Sequence, residues 1–290
     1  MKQRVITGAV FTCIIAAFVV PGYYFPLVLC LMMTAISFMA AGELQKAVRE
    51  KEIVLGGGRW LSVCCVLMTL FPFVFSFFRK SLLEVFSIYA AVAVLFSFIL
   101  VVGVVIFSKK DNAFQEGITA ALIFLYVTFP MASANILLLF LKEGWFFLVL
   151  ALFSPWISDV FAFFTGVLFG KHKIVPKISP KKTWEGCIGG AFFCSIVTML
   201  YFYFVVYPRL SIQESDVAVL LLAAGLGFLL SFISQLGDWL MSSVKRWCGI
   251  KDFGTLLPGH GGIIDRFDSA FFTLPLLLLL AIVFHAEVGL

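Results

Sequence analysis

Charged residues are scarce in this sequence. Asp, Glu, Lys and Arg together account for 13% of its 290 residues, against 62% hydrophobic residues, and the mean hydropathy is +1.09. This balance excludes a water-soluble globular protein, because repeated apolar runs as long as a bilayer crossing indicate several membrane spans. The seven cysteines include no CxxC pair, and no histidine stands at metal-ligand spacing. Neither a disulfide framework nor a zinc site is therefore indicated.

The apolar runs are continuous and do not alternate with polar residues. In lipid the backbone must satisfy its own hydrogen bonds, which leaves helices or a closed barrel, and continuous runs favour helices. We predict an all-α integral membrane protein with about nine transmembrane helices, near residues 5–20, 25–41, 60–78, 85–107, 118–141, 145–168, 186–207, 217–236 and 267–284. Lys2 and Arg4 precede the first span as in a signal peptide. No small-residue cleavage site follows, which predicts a retained anchor helix.

The positions of Lys and Arg predict the orientation. Seventeen of the 21 lie in the N-terminal segment and in the loops after spans two, four, six and eight. By the positive-inside rule the N-terminus is then cytoplasmic and the C-terminus outside, as an odd number of spans requires. The net charge of +5 follows from this asymmetry and from anionic lipid nearby, so no nucleic-acid partner is expected. A compact chain without a long polar N-terminal tail predicts a bacterial inner membrane, with the active site facing the cytoplasm.

Polar segments divide the sequence into two regions. We predict an N-terminal transmembrane bundle over residues 1–144, with spans one to five, and a catalytic transmembrane region over residues 145–290, with spans six to nine and cytoplasmic loops 169–185 and 238–266. The loop after span two ends in three glycines at 56–58. A surface helix and a flexible joint are predicted there, because a Gly-rich phosphate loop needs a strand before it and a helix after it.

The loop 169–185 is basic. Its lysines are Lys171, Lys173, Lys177, Lys181 and Lys182, and no acid occurs until Glu185. Ser179 before Pro180, or Thr183 one turn later, would cap a helix whose free N–H groups and positive dipole end suit a polyphosphate. A positive-inside loop that binds anionic lipid is the alternative.

Acidic residues favour the phosphate interpretation. Asp159 lies within span six, where an isolated carboxylate is a functional candidate unless it pairs with a neighbouring helix. Ser234, Asp238 and Ser242 recur every four residues and share one helix face, and Asp265 and Asp268 share another. Carboxylates at two helix ends can hold Mg²⁺ together with substrate phosphates. The alternative is ion pairing of Asp265 and Asp268 with the basic residues Lys245, Arg246 and Arg266.

Glycines surround His260 in the run Leu257-Pro258-Gly259-His260-Gly261-Gly262. They would let the backbone approach a ligand closely, and the imidazole could donate to a phosphate oxygen or orient a carboxylate. A satisfied structural histidine is the alternative.

These residues resemble the signature of phosphatidate cytidylyltransferases, also called CDP-diacylglycerol synthases. One match runs without a gap over Ser242-x-Val244-Lys245-Arg246, Lys251-Asp252-x-Gly254 and Leu257-Pro258-x-His260-Gly261-Gly262-Ile263-x-Asp265-Arg266-Phe267-Asp268. A second comprises Asp159, Gly166, Phe169-Gly170-Lys171, Pro176 and Ile178-Ser179-Pro180-Lys181-Lys182-Thr183-Trp184-Glu185-Gly186. Spans one to five match in hydropathy only. Phe163 stands where the family usually has Tyr and Val167 where Arg is frequent, and neither departure affects the acids.

The resemblance implies a reaction of phospholipid biosynthesis in which CTP and phosphatidic acid give CDP-diacylglycerol and pyrophosphate. It also implies Mg²⁺ with K⁺ as a second cation at the acids matching Asp238 and Asp265, and an all-helical homodimer in the lipid bilayer.

The candidate site residues form three groups. Catalytic roles are predicted for Asp238, Asp265, Lys245, Arg246 and His260. Substrate binding is predicted for Ser179, Lys181, Lys182, Lys171, Asp159, Ser242, Lys251 and Arg266. The predicted metal ligands are Asp238, Asp265 and Asp268.

Two other functions use similar groups. A CTP-dependent lipid kinase would need the same cation and basic residues but would transfer the γ-phosphoryl group. An anion transporter could line its path with Asp159 and the basic loops. Transporters with inverted repeats have similar halves, and the halves of this sequence are not similar.

Overall fold

The structure is a computed structural model that describes residues 2–55, 59–78, 80–108, 110–176, 178–209, 216–256, 259 and 261–288. Over these residues the α-helices are α1 (Lys2–Gly22), α2 (Pro26–Arg49), α3 (Trp60–Phe75), α4 (Leu82–Phe107), α5 (Ala113–Phe140), α6 (Gly144–Phe169), α7 (Trp184–Tyr201), α8 (Asp216–Cys248), α9 (Ile264–Phe267) and α10 (Ala270–Val288). A π-helical turn (Phe202–Val206) and a 3₁₀ turn (Tyr207–Arg209) extend α7. The same ranges contain no β-strand, and an isolated β-bridge joins Lys173 to Thr183. The predicted all-α class is confirmed.

Six helical segments are long and apolar enough to cross a membrane, namely Pro26–Arg49, Leu82–Phe107, Ala113–Phe140, Gly144–Phe169, Trp184–Arg209 and Val217–Cys248. Three shorter apolar helices are Thr7–Gly22, Trp60–Phe75 and Ala270–Val283. Each of the nine predicted spans overlaps one of these segments. An integral membrane protein is therefore indicated, while the count of nine spans and the orientation of the termini stay predictions.

The chain divides into two compact units. The first unit comprises Met1–Lys142, Lys245–Phe267 and Leu278–Leu290. In it α5 packs against α2, α3 and α4. Asn135 Nδ2 donates to the Thr69 carbonyl at 2.8 Å, and Thr69 Oγ1 donates to Ser37 Oγ at 3.0 Å. Because lipid offers no partner to such groups, these bonds hold α5, α3 and α2 in register.

The second unit comprises Glu143–Val244 and Asp268–Leu277. Its helices approach closely at glycines. A Cβ at Gly186 would lie 2.7 Å from the Ala162 carbonyl oxygen, and one at Gly190 would lie 2.8 Å from the Ser158 carbonyl oxygen. The four-residue spacing of these glycines on α7 lets its backbone contact α6 directly, as small residues do in membrane bundles. This close packing fixes where the polar residues at the ends of α6 and α7 lie.

Two helices run beyond the apolar spans that hydropathy predicts. Helix α2 continues to Arg49, so the predicted surface helix after span two is the end of α2, and Leu44, Ala47 and Val48 on it are buried. The glycine joint predicted at 56–58 lies outside the described residues. Helix α8 continues to Cys248, because helical hydrogen bonding does not stop where the first charge appears. Gly249 ends it with φ +78° and an N–H donated to the Arg246 carbonyl at 3.1 Å.

Candidate active site

Asp265, in the short helix α9, has hydrogen bonds to both carboxylate oxygens. Its Oδ1 accepts from the Lys245 ammonium at 2.9 Å, and its Oδ2 accepts from the backbone N–H groups of Phe253 at 2.8 Å and Gly262 at 2.9 Å. Only 3% of the Asp265 side chain and 14% of the Lys245 side chain are exposed. The ion pair that the sequence left open for Asp265 is present, and its carboxylate is fixed from three directions.

Gly261 lies against the same carboxylate. Its φ of +83° is in the left-handed region, and a Cβ there would lie 2.6 Å from Asp265 Oδ2. Glycine is therefore required both by conformation and by space. The sequence predicted that these glycines allow close approach to a ligand, and what Gly261 approaches in the structure is a carboxylate of the chain itself. His260, predicted to be catalytic, lies outside the described residues.

Glu43 is a buried carboxylate that the sequence-based prediction missed. It lies on α2 and accepts hydrogen bonds from the backbone N–H groups of Ile263 at 2.9 Å and Ile264 at 3.0 Å. The prediction placed residue 43 in the segment after span two, at the start of a surface helix without catalytic or metal-ligand spacing. The available signal was its context, because Glu43 interrupts the small and apolar run Met39-Ala40-Ala41-Gly42 and Leu44.

The second predicted acid, Asp238 in α8, forms an ion pair with Lys182. Ser242 Oγ, one helical turn later, donates to Asp238 Oδ1 at 3.4 Å, which agrees with the shared face predicted from their spacing. The Lys182 ammonium also lies 5.8 Å from the centroid of the Trp239 ring. This ion pair joins the segment 169–185 to Asp238, the first residue of the segment 238–266.

Asp159, on α6, belongs to the same cluster. The charges of Lys182, Asp159 and Asp238 all act on the Cys187 thiol in the first turns of α7. The three charged groups therefore lie near Cys187. Asp159 is exposed, and each side chain of the Lys182–Asp238 pair is 23% exposed. This cluster has groups of both signs that a polar ligand can reach.

A buried polar network, also missed from the sequence, lies next to this cluster. Gln235 Nε2 donates to the Cys187 carbonyl at 3.2 Å and to Ser231 Oγ at 3.1 Å, and the Ser158 and Ser231 hydroxyls are 2.6 Å apart. Ser158 directly precedes Asp159, and Gln235 lies one turn before Asp238. The network therefore fixes α6, α7 and α8 at the positions that carry the charged cluster.

Thr183 caps α7, and its Oγ1 accepts from the Gly186 N–H at 3.2 Å. The alternative start at Ser179 is wrong. Residues 172–174 pair with 182–184, since the Trp184 N–H donates to the His172 carbonyl at 2.9 Å and the Ile174 N–H to the Lys182 carbonyl at 3.3 Å. This pairing holds the chain extended up to Thr183, so that a helix cannot begin earlier.

Glu185 ties the lysine loop to the start of α7. Its carboxylate accepts from the Lys171 N–H at 3.1 Å, and its Oε1 lies 2.6 Å from His172 Nδ1. Lys171 and Lys181 extend from this tied loop and are exposed. They are free to reach a ligand in solvent, whereas the Lys182 side chain is directed at Asp238.

The remaining predicted residues lie in different surroundings. Arg246 and Lys251 line an open cavity of about 360 Å³ with Gly249 and Ile250, just after the end of α8. Arg266 is partly buried in α9. Asp268 is buried in the turn before α10, where its Oδ1 accepts from the Ser269 N–H at 2.7 Å.

A model of the cytidylyltransferase family matches residues 2–284. The chain belongs to this family. The family assignment covers the five N-terminal spans, where the motifs of the sequence gave no specific signal.

Relatives of this family member occur in staphylococci. A phosphatidate cytidylyltransferase of Staphylococcus aureus (strain COL) is 45% identical over 141 residues, which are 49% of this chain and 51% of the relative. Those of Staphylococcus haemolyticus (strain JCSC1435) and Staphylococcus saprophyticus subsp. saprophyticus are 45% and 43% identical over the same shares. The aligned part of the chain spans about half the length of these relatives.

The donor set of this family member fits Mg²⁺ better at Asp238 than at Asp265. Among the described residues no group of three or more His, Cys, Asp and Glu side chains could hold a metal ion. Mg²⁺ commonly binds one or two carboxylates and completes its shell with water and substrate phosphate. Asp238 suits this mode of binding, because its carboxylate is partly exposed and lies next to the Ser242 hydroxyl. Ligation by Asp265 stays a prediction, because both of its oxygens already accept hydrogen bonds from Lys245, Phe253 and Gly262.

Proposed function

We propose that this chain transfers the cytidylyl group of CTP to phosphatidic acid, forming CDP-diacylglycerol and pyrophosphate. The observation that carries the proposal is the Lys182–Asp238 ion pair, together with the exposed carboxylate of Asp159 on α6. A reaction between two phosphate compounds needs cationic groups for the phosphates and carboxylates for a cation, and this cluster offers both. The names of the staphylococcal relatives and the apolar helices, which suit a lipid substrate, support the same function.

In the proposed step an oxygen of the phosphatidate headgroup attacks the α-phosphorus of CTP. A new P–O bond forms as the bond to the bridging oxygen of the β-phosphate breaks, and pyrophosphate leaves with that electron pair. The attacking phosphate is already ionised near neutral pH, so no general base has to remove a proton. The barrier comes mainly from bringing two anions together and from charge on the transferred phosphoryl group. Fixed cationic groups lower both contributions.

Lys182 is the basic residue that the geometry favours most. Its ammonium is held by Asp238 and Trp239 before any substrate binds, so it is oriented without a large entropic cost at the moment of reaction. Lys171 and Lys181 are proposed to bind the outer phosphates from the exposed loop, close to the capped start of α7. Lys245, Arg246 and Asp265 are proposed for the same reaction from the sequence motif.

Mg²⁺ is the proposed cofactor, held by Asp238 with the Ser242 hydroxyl nearby. When bound, the ion would polarise the reacting phosphoryl group and neutralise part of its charge. From the family resemblance we also propose K⁺ as a second cation and a homodimer as the assembly.

We also propose that all nine apolar segments cross the bilayer of a bacterial inner membrane, with the N-terminus and the active site on the cytoplasmic side and the C-terminus outside. The bias of Lys and Arg supports this topology. Single cysteines introduced at Lys181 and at Lys142, in a chain without other cysteines, test it. A membrane-impermeant maleimide added to intact cells should label position 142 and spare position 181.

Labelled CTP tests the reaction directly. Purified protein is incubated with Mg²⁺, phosphatidic acid or diacylglycerol, and CTP carrying ³²P at the α or the γ position. The proposal expects the α label in the lipid fraction with phosphatidic acid. Transfer of the γ label to diacylglycerol would show a lipid kinase instead, and no transfer from either position would contradict both enzymes. A sample of Asp238→Asn prepared in the same way controls for contaminating enzymes.

A further inference from the structure

Three successive backbone N–H groups at the start of α9 are divided between two buried carboxylates. Gly262 donates to Asp265 Oδ2 at 2.9 Å, whereas Ile263 and Ile264 donate to Glu43 Oε1 at 2.9 Å and Oε2 at 3.0 Å. The first N–H groups of a helix have no partner within it, and carboxylates are the acceptors that they bind best. Glu43, on α2, thus caps the N-terminus of α9 by accepting from Ile263 and Ile264.

Two glycines make room for the Glu43 carboxylate. A Cβ at Gly262 would lie 2.4 Å from both of its oxygens, and a Cβ at Gly254 would lie 2.6 Å from Oε1. Separations below 3 Å cannot be tolerated without movement. The backbone at Gly254 and the backbone at Gly262 therefore both contact the Glu43 carboxylate on α2. Glycine at position 262 is explained by this contact, since its φ is not in the left-handed region.

We infer that Glu43 is a positioning residue of the active site, which holds residues 261–264 so that Asp265 is directed at Lys245. The inference rests on the proposed function, in which Asp265 and Lys245 take part. Glu43 does not act on the substrate itself. Its carboxylate binds the N–H groups of Ile263 and Ile264, directly before Asp265, and the N–H of Gly262 binds Asp265 itself. Displacement of Glu43 therefore moves the Asp265 carboxylate as well.

Hydrogen–deuterium exchange tests the contact without any need for activity. In Glu43→Ala the amides of Ile263 and Ile264 lose charge-assisted acceptors, so a peptide covering residues 261–268 should exchange at least about tenfold faster than in the wild type. Glu50→Ala, an exposed acid at the end of the same helix, is the matched control and should leave this peptide unchanged. Unchanged exchange in Glu43→Ala would overturn the inference.

Kinetics distinguishes positioning from general stability. Because Asp265 is then misdirected, Glu43→Ala should lower kcat about tenfold or more, whereas the KM for CTP should change by less than about threefold. Both constants are measured at a temperature where the variant stays folded. Glu43→Gln keeps the shape and one acceptor oxygen, so its kcat should lie between those of Glu43→Ala and the wild type. A kcat within twofold of the wild type in both variants would contradict a positioning role even if exchange were faster.

Gly262→Ala gives a second test should Glu43→Ala fold poorly, and the double substitution tests the coupling between the two positions. Gly262→Ala alone should displace Glu43 and reproduce the loss of kcat. If the Glu43 carboxylate is what excludes a Cβ at position 262, adding Gly262→Ala to Glu43→Ala should lower kcat by less than a further twofold. Additive losses would refute the coupling. If wild-type protein transfers no α label, the proposed function fails, and the exchange result still decides whether Glu43 holds the loop.

Discussion

Lys245 Nζ lies 2.9 Å from Asp265 Oδ1, and the two side chains are almost fully withdrawn from solvent. A buried pair of this kind contributes little net stability relative to apolar residues, but removing one partner leaves the other charge unpaired. Both residues belong to the motif that marks the family, so stability and function depend on the same contact.

Lys245→Met is expected to lower the free energy of unfolding by about 3 kcal/mol or more, because it leaves the Asp265 carboxylate buried with backbone donors only. Adding Asp265→Asn should restore part of this loss, with a coupling energy of about 1–3 kcal/mol. Unfolding in detergent measures both. Lys142→Ala removes an exposed lysine and should change stability by less than about 0.5 kcal/mol. Equal costs for Lys245→Met and Lys142→Ala would show that the pair is not buried in solution.

Asp238→Asn should reduce cytidylyl transfer by more than about tenfold, equivalent to about 1.4 kcal/mol of barrier, while the protein still inserts and folds. Asparagine keeps the size of the side chain but loses the charge that orients Lys182 and attracts a cation. Initial rates with α-labelled CTP at several Mg²⁺ concentrations measure the effect. Asp111→Asn, at an exposed loop position, should retain full activity. More than a tenth of the wild-type rate in Asp238→Asn would exclude Asp238 as a metal ligand.

Gly261→Ala and Gly249→Ala form a matched pair, because both glycines have positive φ. At Gly249 a Cβ meets nothing within 4 Å, so only the left-handed backbone is penalised, by about 1–2 kcal/mol. At Gly261 the Cβ would also press on Asp265, so Gly261→Ala should cost at least about 1 kcal/mol more, as overpacking does, and abolish transfer. Similar stability and activity in the two variants would show that the Gly261 backbone does not contact Asp265.

Thr183→Ala should destabilise the protein by about 0.5–2 kcal/mol, because the Gly186 N–H loses its capping oxygen. Thr183→Ser keeps that oxygen and should recover most of the loss. Ser179→Ala should leave the unfolding midpoint within about 1 °C, which corresponds to a change of roughly 0.5 kcal/mol or less, since Ser179 caps no helix. Thermal unfolding of the three variants checks the order. A larger loss for Ser179→Ala than for Thr183→Ala would place the helix start at residue 180.

Most of the fold class could be predicted, whereas the helix ends could not. Hydropathy located all nine apolar segments, because each is continuous and long. It ended the eighth at Leu236, since the charges of Asp238 and Lys245 read as a loop, yet α8 continues to Cys248. Backbone hydrogen bonds and a buried face stabilise that continuation, and neither depends on mean hydropathy.

The candidate site was predictable where polar residues form a motif, and not where a single polar residue acts from another helix. Asp238 and Lys182 were both named from the sequence. Glu43 and Gln235 were missed, because neither belongs to the polar motifs of the sequence. Their partners, the amides of Ile263 and Ile264 and the carbonyl of Cys187, are backbone groups that no motif marks.

By itself the sequence determined that this chain is an all-helical membrane protein with two polar segments typical of its family, because composition and motif spacing are local properties of the chain. Only the tertiary structure decided which lysine meets which aspartate, that Thr183 begins α7, and that Glu43 reaches an amide 220 positions away. Those contacts depend on how closely helices pack, which is fixed by glycines and buried polar groups on elements far apart in sequence.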